Sequence, residues 1–233
     1  MKYALVTGAS RGLGAGFVEY LSTHGYFVFA GVRKVTPTLK SSDTVEYVSC
    51  DVSDDAQIAA CVNLISQKTD HLDLLINNVG VNGHTATSGH KELVSNLGTL
   101  NRQSLLAMFD LNAVAPLLMT QAFLPLLVSG PSFVLNISSS RASYHDEYAD
   151  EVANYGYDAS KAALNMFTFR SLVDLPKNIR TFAVDPGDVE SGMNPEGEQK
   201  PLDQAAKIMA IVDNWRDEYN GRFLRWSGEY YPL

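Results

Sequence analysis

The chain has 233 residues, of which 45% are hydrophobic and 19% charged. That length fits one domain with a sizeable core, and the composition is that of an ordinary globular protein. A formal net charge of -8 argues against nucleic acid or an anionic membrane surface as partner, since both select clustered positive charge; a small anionic ligand needs only a few local arginines.

The first apolar run, Tyr3–Thr7, meets a turn at Gly8. It is too short for a secretory leader, and no stretch approaches the ~18 apolar residues of a membrane span, so a cytoplasmic protein is expected. Strands are predicted at Tyr3–Thr7, Phe27–Val32, Val45–Cys50, Leu72–Asn77, Ser132–Ile137 and Arg180–Val184, with helices beginning near Gly12, Asp54, Asn101, Tyr155 and Leu202. Short, continuously apolar strands between helices point to parallel strands buried on both faces. The alternation predicts a doubly wound, Rossmann-type α/β fold with helices on both faces of a mostly parallel sheet. No repeat or composition break divides residues 1–233, so one dinucleotide-binding domain is expected. Three long loops, Val79–Leu100, Ser140–Asn154 and Gly187–Pro201, follow predicted strands. They should gather at the carboxyl edge of the sheet, where open α/β folds bind ligands.

The first strand runs into Gly8-Ala9-Ser10-Arg11-Gly12-Leu13-Gly14. Glycines at this spacing let the backbone turn tightly beside a pyrophosphate, and the following helix offers unpaired N–H groups and its positive dipole end. The second strand ends at Val32-Arg33 where an NAD-binding fold usually carries an acid for the ribose 2′-hydroxyl. An arginine suits a 2′-phosphate, with Arg11 as a second cation, so NADP(H) is favoured over NAD(H). The alternative is that Arg33 and Lys34 are solvated loop charges.

Tyr157 and Lys161 lie four residues apart in Tyr155-Gly156-Tyr157-Asp158-Ala159-Ser160-Lys161, on one face of the predicted helix. A neighbouring ammonium favours the phenolate and should lower the tyrosine pKa toward neutrality, suiting the phenol to general acid/base work. The spacing alone is common in helices. Tyr155 has Ala159 four residues on and lacks such a cation. Cys50 and Cys61 fit no metal spacing or redox motif; His24, His71, His84 and His90 form no ligand set, and no metal is predicted.

The ordered set of glycine loop, Asp51-Val52, Asn77-Asn78-Val79-Gly80, Ser138-Ser139-Ser140, Tyr157-x-x-x-Lys161 and Pro186-Gly187 resembles the short-chain dehydrogenase/reductase family over essentially the whole chain. The closing stretch, Asn220-Gly221-Arg222-Phe223-Leu224 through Leu233, is similar to its C-factor/sniffer-like carbonyl reductases. The resemblance implies that Asp51 and Val52 contact adenine and that Asn78 and Gly80 lie along the cofactor, with Val79 replacing the usual Ala. It further implies that Asn112 supports a proton relay, that Pro186, Gly187 and Val189 flank the nicotinamide, and that Lys161 holds the nicotinamide ribose. By the same resemblance Ser139 orients the substrate oxygen, with Ser138 as fallback. The segment between Ser139 and Tyr157 is longer than in many members, and its loop is either a wall of the substrate pocket or a solvated surface loop.

The expected activity is NADP(H)-dependent hydride transfer between nicotinamide and a small-molecule carbonyl or alcohol, with Tyr157 as acid/base. Alternatives are another reaction on the same site (epimerase, dehydratase, C=N or C=C reductase) or a non-enzymatic NADP-binding regulator. The resemblance also implies a homodimer or homotetramer paired through helices around Asn112 and Tyr157.

Overall fold

The computed structural model describes residues 1–82, 97–145 and 153–233. Parts of two predicted long loops, including His84, His90 and the acids between 146 and 151, lie outside the described residues. Seven parallel strands form one sheet: β1 (Lys2–Thr7), β2 (Tyr26–Val32), β3 (Val45–Ser49), β4 (Leu74–Asn77), β5 (Ser132–Ile137), β6 (Ile179–Asp185) and β7 (Phe223–Arg225), in the order β3-β2-β1-β4-β5-β6-β7. The helices are α1 (Gly12–Thr23), α2 (Asp55–Ser66), α3 (Arg102–Phe109), α4 (Ala115–Leu127), α5 (Tyr155–Arg170) and α6 (Pro201–Asp213).

The period of two along each strand divides the core. Ala4, Val6, Val28, Ala30, Leu74 and Ile76 turn to the face covered by α1 and α6, joining Phe17, Leu21 and Ile208. The intervening Leu5, Phe29, Leu75 and Val134 turn to the other face, with Ile58 and Ile65 of α2 and Met119 and Phe123 of α4. Continuously apolar strands are thus what a sheet covered on both faces requires. Three helices start on side chains that accept N–H groups of their first turns, from Asp54, Asn101 and Asn154, the capping that side-chain oxygens at these positions supply.

The six predicted strands are present with ends shifted by at most two residues. β7 was not predicted: three residues, Phe223–Arg225, are too few to show a period. A helix was expected to begin near Asn101, and two prolines fall within the helical run that follows it. Pro116 lies in the first turn of α4 and Pro125 in its last. A π turn, Asp110–Val114, joins α3 to α4. The continuous helical run Arg102–Leu127, with a mean hydropathy of 1.3 over its most apolar window, is long and apolar enough to cross a membrane, contrary to the sequence expectation. Met119, Phe123 and Leu127 of this run are buried beneath the sheet and Met108 against Gly156 of α5, while Leu106, Val114 and Leu117 are exposed.

Candidate active site

Loop geometry at the end of β1 comes first. Gly8 and Gly12 have φ of 67° and 56°, the left-handed region that side chains disfavour. At Gly14 a Cβ would overlap the carbonyl oxygen of Gly8 and the Asn78 amide, so glycine is what lets α1 begin this close to the loop. Arg11, the residue before α1, makes no side-chain cap, and the first-turn N–H groups have no intrahelical acceptor. Asn78 fixes the loop from the next strand over: its Nδ2 donates to the carbonyls of Thr7 at 2.9 Å and Gly8 at 3.4 Å, and its backbone N–H donates to the Thr7 hydroxyl at 2.9 Å. Val79 packs against Gly8.

Beside this turn a cavity of about 550 Å³ is lined by Ser10, Val32, Arg33, Lys34, Thr36, Thr38 and Leu39. Two cations and three hydroxyls around one opening suit a phosphate. The second cation is Lys34, not Arg11, whose guanidinium lies against Gly192 in the loop after β6. Lys34, Thr36 and Thr38 were not singled out in the sequence because a short polar stretch between strands carries no spacing signal. On the other side of β2, Asp51 accepts the hydroxyl and N–H of Ser53 at 2.7 and 3.1 Å, and Val52 is buried.

The second half of the site lies at the ends of β4, β5 and β6. Ser138 is buried and donates to Asn165 at 2.7 Å; it is a strut. Ser139 is half-buried, its oxygen accepting the N–H of Arg141 at 3.3 Å, and its hydroxyl reaches the Tyr157 phenol. Of the two serines, Ser139 therefore faces the tyrosine.

Tyr157 and Lys161 share the inner side of α5, with the Lys161 Nζ 5.7 Å from the tyrosine ring centre. Nζ donates to the Ile137 carbonyl at 2.7 Å. Burial pushes the Lys161 pKa down from 10.5 to about 8. The Tyr157 pKa is raised, chiefly by burial and then by the carboxylates of Asp185 and Asp158, while Ser139 and Arg141 pull it down. The expected lowering is thus reversed, because desolvation outweighs the partners that favour the phenolate.

Asn112 is fully buried in the π turn. It brackets Val81, accepting its N–H at 2.8 Å and donating to its carbonyl at 2.8 Å, and it also donates to Ser160 at 2.9 Å. Both polar atoms of its side chain are thus held by protein partners. A Cβ on Gly80 would sit 3.4 Å from the Lys161 Nζ and 3.6 Å from the Asn112 Oδ1, so the chain leaves space beside both.

Beyond β6, the Pro186 carbonyl accepts from buried Gln204 at 2.7 Å, and Gly187 lies against the Trp226 ring. Val189 is buried and bridges to Gln199, so the segment from 187 to 200 is folded back on itself. Among the described residues no three His, Cys, Asp or Glu side chains group as metal ligands.

Arg141 and Asp158 form an ion pair that sequence reasoning missed. Nε and Nη2 of the arginine donate to Oδ1 and Oδ2 at 2.7 and 3.0 Å. Two opposite charges flanking the long Ser139–Tyr157 segment were the available signal.

The short chain dehydrogenase family profile matches residues 2–201. An NADPH-bound carbonyl reductase from chicken fatty liver superposes with a TM-score of 0.87 at 28% identity, covering 100% of this chain and 99% of that one. The carbonyl reductase Sniffer of D. melanogaster gives 0.85 at 25% identity, covering both chains completely. C-signal of Myxococcus xanthus is 32% identical over 70% of this chain and 94% of its own length. The resemblance in the closing stretch thus extends over whole chains. This chain belongs to the short-chain dehydrogenase family.

Proposed function

We propose that the chain, acting as one domain over residues 1–233, is an NADP(H)-dependent oxidoreductase. It would interconvert a small-molecule carbonyl and its alcohol, with Tyr157 as general acid/base. The observation that carries this is convergence. Tyr157, Lys161, Ser139 and Asn112 meet at the ends of β4 and β5. The glycine loop and the cationic cavity lie along the same edge of the sheet, on the β1–β2 side.

The residues present fit an NADP(H) cofactor. The first-turn N–H groups of α1 and the Gly8–Gly14 loop suit the pyrophosphate, and Arg33, Lys34 and the surrounding hydroxyls suit a 2′-phosphate. The NADPH-bound chicken relative adds support. When bound, the cofactor supplies or accepts the hydride.

The chain's own residues handle the proton and the substrate oxygen. Ser139 is placed to donate a hydrogen bond to that oxygen. Its pKa raised by burial, Tyr157 holds its proton at neutral pH, the form needed to protonate an oxygen gaining negative charge. Lys161, with a pKa of about 8, is mainly an ammonium at pH 7 and keeps positive charge beneath the site. Asn112, tied to the Val81 backbone and to Ser160, which precedes Lys161, is placed to support a proton relay.

A homo-oligomer fits the exposed apolar side chains on α3, α4 and α5: Leu106, Leu117, Met166 and Phe169.

The test is a fluorescence titration with NADPH and NADH, followed by a panel of carbonyl substrates monitored through nicotinamide absorbance. Tighter binding of NADPH and its consumption with at least one carbonyl are expected. Binding of neither nucleotide, or conversion with no net redox change, would overturn the proposal.

A further inference from the structure

We propose that Arg141 and Asp158 are a positioning pair for the reaction assigned above, holding the Ser139 hydroxyl and the Tyr157 phenol in register across the long segment between them. The inference rests on that functional assignment.

Each partner sits beside one of the two hydroxyls. Arg141 is two residues after Ser139, in the short 3₁₀ turn Ser140–Ala142. Asp158 follows Tyr157 in the first turn of α5. Their contact is a two-pronged fork at 2.7 and 3.0 Å, with side chains only 23% and 31% exposed. Exposed single-contact pairs contribute little, but a planar guanidinium on both oxygens of a carboxylate fixes orientation as well as distance.

Both ends of the fork are tied to the reacting groups. The Arg141 backbone N–H donates to the Ser139 oxygen at 3.3 Å. Oδ2 of Asp158 also accepts the N–H of Asn154 at 3.2 Å, and the Asn154 side chain in turn accepts the N–H of Tyr157 at 3.4 Å. The neighbouring Ser140 N–H donates to Asp185 at 2.9 Å. The turn after β5 and the start of α5 are therefore locked together at the two hydroxyls, whatever the length of chain between them. Misplacing a reacting group by about 1 Å can cost on the order of 100-fold in rate.

The pair also sets the field at the phenol. Among the described residues, the charged groups facing Tyr157 are Asp185 from the end of β6, Asp158 and Lys161 from α5, and Arg141 from the turn after β5. Asp158 and Arg141 act on it in opposite directions. Removing the arginine leaves the lysine with two carboxylates, and removing Asp158 leaves both cations with one carboxylate.

The test is a cycle of Arg141→Met, Asp158→Asn and the double variant, with Arg141→Lys as the conservative control. NADPH affinity, circular dichroism and the pH dependence of carbonyl reduction are measured in each. Each single variant is expected to lose about 10- to 100-fold in kcat with NADPH affinity intact. The acid–base limb of the pH profile should move up in Arg141→Met and down in Asp158→Asn. The double variant should be no slower than the worse single, as expected for partners acting as one unit. Arg141→Lys should keep the wild-type limb but lose part of kcat, because the charge remains and the fork does not.

Singles with wild-type kcat, additive losses in the double, pH limbs shifting the same way, or losses of kcat and NADPH affinity in parallel would overturn the proposal. A wild-type protein that binds NADPH but reduces no carbonyl overturns the functional assignment and this inference with it. An active wild type with single variants of wild-type kcat overturns this inference alone.

Discussion

Lys161 meets two demands that pull against each other. Its charge serves the site, yet it is 2% exposed and its ammonium has one named acceptor, the Ile137 carbonyl. Burial of the charged form depresses its pKa from 10.5 to about 8. Between those values the unfolded chain binds more protons than the folded one, so stability should rise as pH rises through the window from about 8 to 10.5. The full difference is about 3 kcal/mol, at roughly 1.36 kcal/mol per pH unit. Chemical denaturation across that range should show the gain in the wild type and a flatter curve in Lys161→Met. Parallel curves would mean that the lysine is not desolvated as described. At the other half of the site, Arg33 lines the cationic cavity. Arg33→Ala should weaken NADPH binding by about 10- to 100-fold, the worth of one charged hydrogen-bonding partner, and leave NADH binding unchanged. Equal loss for both nucleotides would place Arg33 outside the 2′-phosphate site.

At the level of elements, the glycines, caps and prolines decide how closely parts approach. Gly16 of α1 is where that helix meets the start of α6: a Cβ there would overlap the Pro201 carbonyl. Backbone cannot swing away as a side chain can, so Gly16→Ala should destabilise by about 1–3 kcal/mol despite the better helix propensity of alanine. That is a Tm drop of about 2–12 °C for a chain of this size, and an unchanged Tm would contradict the described contact. The starts of the helices capped by Asp54, Asn101 and Asn154 were predicted near Asp54, Asn101 and Tyr155, because the signal for a helix start is local. The helix over Ala115–Leu127 was legible only in part. Proline normally marks a break, and that Pro116 joins a π turn to a helix depends on how α3 and α4 share a path beneath the sheet. The three residues of β7 exist because β6 offers them an edge, which no local pattern announces.

For the whole molecule, the parallel sheet, its two-sided burial and the edge where the site lies followed from apolar strands alternating with helices. Tyr157, Lys161 and the glycine loop were legible because their spacing is short and local, and Ser139 only through the family resemblance. The Arg141–Asp158 fork, the strut from Ser138 to Asn165 and the cavity residues Lys34, Thr36 and Thr38 were not, since each depends on segments brought together only by folding. The apolar side chains left outside on α5 bear on assembly. If copies pair there, Met166→Glu with Phe169→Glu should convert the sedimenting species to a monomer with little change in Tm, and a wild type that is already monomeric would contradict the proposed homo-oligomer.

The measurement that tests the central claim most directly is the reduction of a carbonyl substrate by Tyr157→Phe, with NADPH affinity measured on the same preparation. Loss of the phenolic proton donor should lower kcat by about 10²- to 10⁴-fold while NADPH binds as in the wild type. Undiminished turnover in the variant would show that the proton comes from another group, and the role assigned to Tyr157 would fall.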